Sequence, residues 1–392
     1  MKKILYSLCL ICLLGYAFFA DFLMAVLGFT SAKLICALGG VLLAVIICIV
    51  QFNKLQHKQY LFVPFILLLL YVAVFHSTSS LSYFYTAIMA FFFIQDDDMA
   101  KKFFDVLFVI QFVLVLYEVL THDLIYTNVV TGLFNTREIE LKTDIFDESG
   151  FRTKGLFTGC LEATSFAINY SLIFRNNCKK SFWAFVMTVL LNGRMAMIIS
   201  FSIFVYNLII LAKKRHVSSG TIRFVFIFLA LVLTAGLVRM ASTSQRISHL
   251  LSAFSPESDS YLGRTESYAL AFNEYFNVYG VREKLFGSEY ELIRLKDGRE
   301  MAAESDVLGM LLEIGLLGFL YVFLNWVLAF KKTNEKLFEQ NHISYRYALI
   351  CMLVCMIQYR YASGNIRGIL FWFIIMNSFI ENKKVILCKN VK

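Results

Sequence analysis

Charged residues are scarce in this sequence, and their scarcity argues against an ordinary soluble domain. Only 17% of the 392 residues are charged and 59% are hydrophobic, whereas about 45–50% of a soluble domain is apolar. That is more apolar surface than one soluble core can bury, so lipid is the expected solvent. Long apolar runs separated by charged loops fit helices that satisfy their own backbone hydrogen bonds, and they lack the alternation of barrel strands. The expected fold class is all-α.

Cysteine patterns and cofactor motifs are also missing. The nine cysteines lie in apolar runs or at their edges, and none lies in the long polar loop. A disulfide framework and a zinc site are therefore not expected. The sequence has no P-loop, GxGxxG or HExxH motif, which leaves an ATP-driven pump and a zinc metalloprotease without support. We expect no cofactor and no metal, and any energy should come with the substrate.

Apolar segments are what the sequence has in abundance. The opening MKK and the run behind it resemble a signal peptide, but comparable runs recur to the end of the chain, so we expect a first membrane span there. With about 20 residues required per span, twelve segments qualify, several of them short. They lie near residues 4–28, 33–52, 60–76, 81–94, 103–120, 156–175, 181–193, 195–212, 223–240, 305–330, 345–360 and 366–380.

Positive charge sets the expected topology. Lys179 and Lys180 precede the segment 181–212, and Lys213, Lys214 and Arg215 follow it. Both flanks should be cytoplasmic, so the chain crosses twice and turns outside at Asn192-Gly193-Arg194. The same rule places both termini inside and the loops 121–155 and 241–303 outside, in a single membrane domain over 1–392. The net charge of +9 is then a matter of orientation, and no nucleic-acid partner is expected.

Lysine and arginine divide unequally between the two expected sides. The cytoplasmic segments hold 17 Lys and 4 Arg and the outside segments 5 Lys and 11 Arg, which together make up the 37 basic residues. Orientation needs only positive charge, but the planar arginine fork binds phosphate and carboxylate at two points. An anionic ligand outside is indicated, with pairing to loop acids as the alternative; those acids are Glu138, Glu140, Asp144 and Glu148.

Three outside arginines adjoin apolar spans and glycine turns: Arg152 in GFRTKG, Arg194 in LNGRMAM and Arg264 in YLGRTES. A cation near hydrocarbon is costly, so such residues usually face a cavity or a site. Arg360 and Arg367, which flank the turn YASGN, are candidates for the same rim. The alternative for this last pair is snorkelling to lipid headgroups.

The segment ESDVLGMLLEIGLLG, from Glu304, brings two acids to the point where the long loop re-enters the membrane. Ser305 or Asp306 could simply cap the helix, where an acid is favoured. Gly309, Gly315 and Gly318 should allow neighbouring helices to approach closely. Two deeper acids, Glu162 and Glu313, are expected to be partners of buried arginines.

Together these segments resemble the superfamily of bacterial O-antigen polymerases and ligases, which includes the Wzy-type polymerases. The resemblance covers roughly residues 150–380 and rests on four segments in order: GFRTKGLFTGCLEATSFA, NGRMAM, GRTESYALAFNEYF with LFGSE, and ESDVLGMLLEIGLLG. It implies a membrane glycosyltransferase of C-type architecture, with about twelve spans and a large, partly helical periplasmic loop over a cavity. The substrates would be oligosaccharides on undecaprenyl pyrophosphate, at the outer face of the bacterial inner membrane. A membrane protein that determines chain length is an implied partner.

The resemblance also implies roles for individual residues. Arg194 and Arg264 match the paired outside arginines, which hold the pyrophosphate and stabilise charge developing on it. Glu304 stands where ligases carry a histidine, and is the candidate for orienting or deprotonating the acceptor hydroxyl, with Asp306 as the alternative. The missing histidine favours a polymerase over a ligase. The residues expected to contact pyrophosphate or glycan are Arg152, Lys154, Arg194, Arg264, Arg360 and Arg367.

Three other functions remain open at this stage. A ligase shares the chemistry but transfers to a different acceptor. A flippase or other secondary transporter would line its path with intramembrane Arg and Glu residues, but such proteins often consist of two similar halves and no internal repeat is visible. A non-catalytic scaffold would not explain the arginine-rich outer rim.

Overall fold

The structure of the chain is a computed structural model. The described residues are 2–27, 97–131, 137–140, 153–157, 159–214, 259–288, 293–294, 300–301, 305–333, 336–337, 342–358 and 370–375, with isolated positions between 35 and 83 and at 220. This part of the chain is mainly helical, as predicted, and it also contains two short antiparallel hairpins that the all-α expectation did not include.

The first described helices coincide with two predicted spans. Helices α1 (Lys2–Leu14) and α2 (Ala20–Leu27) are joined by a π-helical turn, Gly15–Phe19, so the segment 4–28 is almost continuously helical. Helix α3 (Asp97–Thr121) covers the span predicted at 103–120. The predicted spans 33–52, 60–76, 81–94 and 223–240 lie wholly or mostly outside the described residues.

Three antiparallel helices follow: α4 (Cys160–Ile173), α5 (Cys178–Leu190) and α6 (Arg194–Lys214). Asn177 begins α5 as an N-cap, and its side chain accepts a hydrogen bond from the Lys180 N–H at 3.1 Å. The turn between α5 and α6 is tight, with Asn192 at φ 54°, a conformation that asparagine tolerates better than most residues. The prediction that 181–212 forms two helices reversing at this turn is confirmed.

Both predicted loops contain regular structure. In the first, strands β1 (Asn128–Thr131) and β2 (Arg137–Glu140) form an antiparallel hairpin in which Asn128 pairs with Glu140. The second contains helix α7 (Asp259–Asn273), a π-helical turn (Glu274–Val278), helix α8 (Val281–Phe286), and the paired strands β3 (Ile293–Arg294) and β4 (Glu300–Met301). The prediction that 241–303 is partly helical is confirmed for its described residues.

The predicted span 305–330 is not one helix. Helix α9 (Asp306–Glu313) ends at Ile314, and helix α10 (Gly315–Lys332) begins immediately after it. The break occurs because Gly315 adopts φ +66°, a left-handed conformation that cannot continue an α-helix. Helix α11 (Tyr345–Gln358) follows, and residues 370–375 are also helical.

Three of the described helices are long and apolar enough to cross a membrane: Asp98–Thr121, Met195–Lys214 and Gly315–Lys332. Their outer faces carry large apolar side chains such as Val109, Leu120 and Leu324, which are 61%, 73% and 56% exposed. Contiguous exposed apolar faces of this kind mark contact with lipid or with another protein. The described part of the chain therefore has the character of a helical membrane protein.

Contacts between helix termini show which termini lie together at each end of the described helix bundle. At the first, Lys180 at the start of α5 forms an ion pair of 2.6 Å with Asp105 near the start of α3. Asn207 in α6 donates to the Arg175 carbonyl at 2.8 Å, and the Arg175 guanidinium lies 3.6 Å above the Tyr345 ring at the start of α11. We call this the lysine end, because α5 starts and α6 ends there with paired lysines.

The opposite end is formed by the other terminus of each of these helices. It comprises the end of α3, residues 153–157, the turn 191–193 with the start of α6 at Arg194, the start of α9 and the end of α11. We call it the arginine end. The alternation of helix direction that the charges predicted is present in the described helices α3, α4, α5, α6 and α11.

Candidate functional site

The end of α11 is where separate parts of the chain converge. The last carbonyls of a helix have no partner within it. The Ser305 hydroxyl lies 3.4 Å from the Met356 carbonyl, and the Tyr268 hydroxyl of α7 lies 3.5 Å from the Ile357 carbonyl. Both are long hydrogen bonds. They bring the start of α9 and the second half of α7 to the same helix end.

Ser305 does not cap its own helix with its side chain. It occupies the N-cap position of α9, but its side chain makes no capping hydrogen bond, because the hydroxyl is directed at Met356. The sequence left open that Ser305 only caps α9. Its hydroxyl instead links the start of α9 to the end of α11. Asp306 is the first residue of α9 and is 0% exposed, at the helix end where a negative charge is favoured.

Arg264 lies on the face of α7 that packs against α9. It is one to three turns before Ser267, Ala271 and Tyr275, at the i+3, i+7 and i+11 spacing of one helix face. Ala271 and Tyr275 form an apolar cluster with Leu312 of α9, and Arg264 itself is partly buried. The structure thus packs the helices that carry the predicted Arg264 and Asp306 against each other.

Residues 153–157 form a second buried unit, which crosses the end of α3. We call this segment the strap. The Glu118 carboxylate accepts the main-chain N–H groups of Lys154 at 2.7 Å and Gly155 at 2.9 Å. Gln111, two turns earlier, donates to the Lys154 carbonyl and accepts from the Leu156 N–H, both at 2.8 Å. Glu118 and Gln111 are both 0% exposed, so this buried backbone is satisfied by two side chains.

Lys154 is enclosed in this strap. It is 3% exposed, and its ammonium lies 3.0 Å from the centre of the Tyr126 ring, a favourable cation–π arrangement. The Tyr126 hydroxyl donates to the Leu156 carbonyl at 2.9 Å, so the ring is itself fixed to the strap. In this arrangement Lys154 is an internal residue, and its contact with substrate stays a prediction.

The strap touches the turn that precedes Arg194. The Thr153 hydroxyl donates to the Leu190 carbonyl at 3.2 Å, one turn before Arg194 begins α6. A Cβ on Gly193 would overlap the Thr164 side chain of α4, so glycine is required for that close approach. The segments that carry Arg152 and Arg194 are therefore adjacent, although Arg152 and the Arg194 side chain lie outside what is described.

Two buried polar atoms accompany the two arginine segments. The side-chain nitrogen of Asn192 and the hydroxyl of Ser267 are buried without a hydrogen-bond partner among the described residues. Asn192 directly precedes Gly193-Arg194, and Ser267 lies one turn after Arg264. Buried polar groups are normally paired, and exceptions often coincide with functional sites.

The predicted intramembrane acids have the following surroundings. Glu313 is buried and accepts a hydrogen bond from the Tyr83 hydroxyl at 2.6 Å, so a tyrosine, which was not predicted, is one of its partners. Glu162 lies in the first turn of α4 and is partly buried. The pairing of either acid with an arginine stays a prediction.

The glycines of the α9–α10 segment behave differently from one another. A Cβ on Gly315 would overlap the backbone of Leu285 in α8, and a Cβ on Gly287 would overlap the backbone of Glu313. Close approach is therefore confirmed at Gly315, where α8 docks. At Gly318 a Cβ would meet only the side chain of Ile314 at 2.8 Å, which belongs to the preceding turn.

Four of the predicted site residues are not among those that the structure describes. Glu304, Arg152, Arg360 and Arg367 lie outside the described residues, although Arg360 follows the end of α11 by two positions. Glu118 and Gln111 were not predicted. An acid within the span 103–120 is the same signal that singled out Glu162 and Glu313, and it would have identified Glu118.

No protein-family model matches the chain, and no curated protein matches it. The superfamily resemblance therefore rests on the order and content of the four sequence segments.

Proposed function

We propose that the protein is a membrane glycosyltransferase that polymerises oligosaccharide repeat units carried on undecaprenyl pyrophosphate into O-antigen or a related surface polysaccharide. One observation carries the proposal. The helix that bears Arg264 packs against the helix that begins at Asp306, at the end of the bundle opposite the paired lysines. In the proposed site, the Arg264 guanidinium binds the pyrophosphate and a carboxylate orients the acceptor hydroxyl.

The proposed reaction balances without a cofactor. The acceptor hydroxyl oxygen bonds to the anomeric carbon of the donor sugar, and the bond from that carbon to the pyrophosphate oxygen breaks. Undecaprenyl pyrophosphate leaves with the bonding electron pair, and Arg264 and Arg194 stabilise the charge that develops on it. The hydroxyl proton passes to a carboxylate, Glu304 or Asp306. Fixed guanidinium groups then perform the charge neutralisation that a divalent ion performs elsewhere.

The strap supports the same proposal. Its hydrogen bonds to Glu118 and its contact with Leu190 hold the backbone beside Arg152 next to the turn before Arg194. Two arginines on fixed backbone can bind one pyrophosphate without a large ordering cost. In the proposed topology of twelve spans in the bacterial inner membrane, both termini are cytoplasmic and the arginine end faces outward.

The test is the length distribution of surface polysaccharide in a host that lacks this gene. The host is complemented with wild type, Arg194→Ala, Arg264→Ala, Glu304→Ala or Asp306→Asn, and each variant is checked for its level in the membrane. Lys213→Ala is the control, because Lys213 is a basic residue exposed at the lysine end, away from the proposed site. We expect wild type and the control to give a ladder of long chains, and the site variants to give single repeat units on the acceptor.

Other outcomes would identify other functions. Loss of all glycan from the acceptor, with long lipid-linked chains accumulating, would identify a ligase. Accumulation of undecaprenyl-linked units on the cytoplasmic face would identify a flippase. A ladder unchanged by gene deletion would overturn the proposal.

A further inference from the structure

The loop helices carry an apolar edge that is exposed in the described part of the chain. Phe272, Phe276, Val278 and Val281 are 54%, 46%, 60% and 77% exposed. They belong to α7, the π-helical turn and α8, outside the helices long enough to cross a membrane. We call these four residues the loop edge.

The loop edge is a continuous feature and not a set of scattered side chains. The rings of Phe272 and Phe276 are four residues apart and their centres are 4.2 Å apart. A neighbouring face of the same helical segment, at Ala271 and Tyr275, is buried against Leu312. The segment is therefore apolar on two faces, and among the described residues only one of the two faces is buried against another helix.

The loop edge continues into a surface expected to face lipid. Helix α8 ends against the first residue of α10, with the Leu285 backbone at Gly315. The Phe286 ring lies 5.3 Å from Tyr71, in the predicted span 60–76. Directly after Gly315, the side chains of Leu316 and Leu317 are 37% and 39% exposed. Those leucines begin a candidate membrane span, so the end of α8 lies beside the first turn of that span.

Polar and basic groups border the edge. Asn273 and Asn277 are exposed beside the two phenylalanines, and Arg282 is exposed beside Val281. The Lys284 ammonium donates to the Phe276 carbonyl at 2.9 Å. An apolar strip with Phe and aliphatic residues, flanked by Lys and Arg, is the pattern of a helix that lies in a membrane interface.

We propose that the loop edge inserts into the interfacial layer of the lipid bilayer at the arginine end. The partner is the bilayer itself, with the apolar side chains at the acyl boundary and the basic flank among the headgroups. This inference rests on the continuity with α10 and does not depend on the polymerase proposal. It has a consequence for that proposal, because α7 would hold Arg264 near headgroup level, where the pyrophosphate of a lipid-linked donor lies.

Photocrosslinking in membranes tests the inserted edge. Benzoylphenylalanine replaces Phe272 or Phe276 in the full-length protein, a change that conserves an aromatic side chain. Matched controls carry it at Asn273 or Asn277, exposed neighbours on the same helical segment. The variants are reconstituted into vesicles of phosphatidylethanolamine and phosphatidylglycerol, illuminated, and analysed for adducts by mass spectrometry.

We expect the two phenylalanine positions to give lipid adducts about fivefold more often than the asparagine controls, since only an inserted side chain meets acyl chains continuously. Equal and low lipid adducts at all four positions would show that the edge faces water and would overturn the proposal. Crosslinked dimers at positions 272 and 276 would also overturn it, in favour of a second copy of the chain covering the edge. A failure of the polysaccharide assay would leave these outcomes unchanged, so the two proposals fail separately.

Discussion

The carboxylate of Glu118 accepts the main-chain N–H of Lys154 at 2.7 Å, although 36 residues separate the two in sequence. The same carboxylate oxygen accepts from Gly155, and the other accepts from Ile125 at 3.3 Å. One buried acid at the end of α3 therefore fixes the chain both directly after that helix and before α4.

Replacement of Glu118 should destabilise the protein. In Glu118→Gln only one side-chain oxygen remains to accept, and an amide N–H faces a backbone N–H. Hydrogen bonds to charged groups contribute about 1.5–3 kcal/mol, so we expect the free energy of unfolding in mixed micelles to fall by about 2 kcal/mol. Val113→Ala is the control, since Val113 is 57% exposed on the same helix and should change it little. Equal effects of the two changes would contradict the assigned role of Glu118.

The close contact between α8 and α10 predicts that replacing Gly315 by alanine lowers stability more than the same change at Gly159. Gly315→Ala adds a Cβ at φ +66° that overlaps the Leu285 backbone, and the left-handed conformation alone costs about 1–2 kcal/mol. Gly159→Ala adds a Cβ with nothing within 4 Å. We expect the first to lower the unfolding temperature in detergent by several degrees and the second to leave it within error. An unchanged unfolding temperature for Gly315→Ala would contradict the close contact between Gly315 and the Leu285 backbone.

The turn at Asn192 predicts an order of stabilities. Asn192→Gly retains access to φ 54° and removes a buried amide nitrogen that has no partner among the described residues. Its stability should be equal to or above that of wild type. Asn192→Val places a β-branched residue in a left-handed conformation and should destabilise by more than about 1 kcal/mol. Thermal unfolding of the two variants side by side measures the order, and the reverse order would contradict the geometry.

The proposed orientation predicts where single introduced cysteines react. Lys102 and Thr121 are exposed near opposite ends of α3, and Lys214 is exposed at the end of α6. In intact spheroplasts a membrane-impermeant maleimide should label Thr121→Cys above the background of the unsubstituted protein. Lys102→Cys and Lys214→Cys should react only after permeabilisation. Labelling of Thr121→Cys from the same side as Lys102→Cys would contradict a crossing by α3.

Helix positions were predictable where apolar runs and charge agreed. The run 195–212 ends at paired lysines and forms α6 almost residue for residue, and the turn before it was predictable because charges on both flanks required a reversal. The break at Ile314 was not predictable from periodicity, since LLEIGLLG reads as one apolar run. It depends on the Leu285 backbone, a contact between distant residues that no local pattern reports.

In the candidate site, too, local sequence signals were predictable and contacts between distant residues were not. Arg264 and Asp306 were predicted from charge at membrane edges, and the structure brings their helices together through Leu312. The role of Ser305 was predicted only as a cap, because its actual acceptor, Met356, is 51 residues away. Glu118 was identifiable as an acid within a predicted span, but its partners were not, because they are backbone groups, which leave no signature in a sequence.

Gly287 and Gly315 each occupy the space that a side chain on the other's segment would need. A gain of bulk at either position therefore requires the backbone of the opposite segment to move away first. Evolution cannot change them one at a time without passing through a damaged protein. Relatives of this chain that keep this contact should have glycine at both positions, and the loss of both glycines together would indicate that the loop 241–303 docks differently.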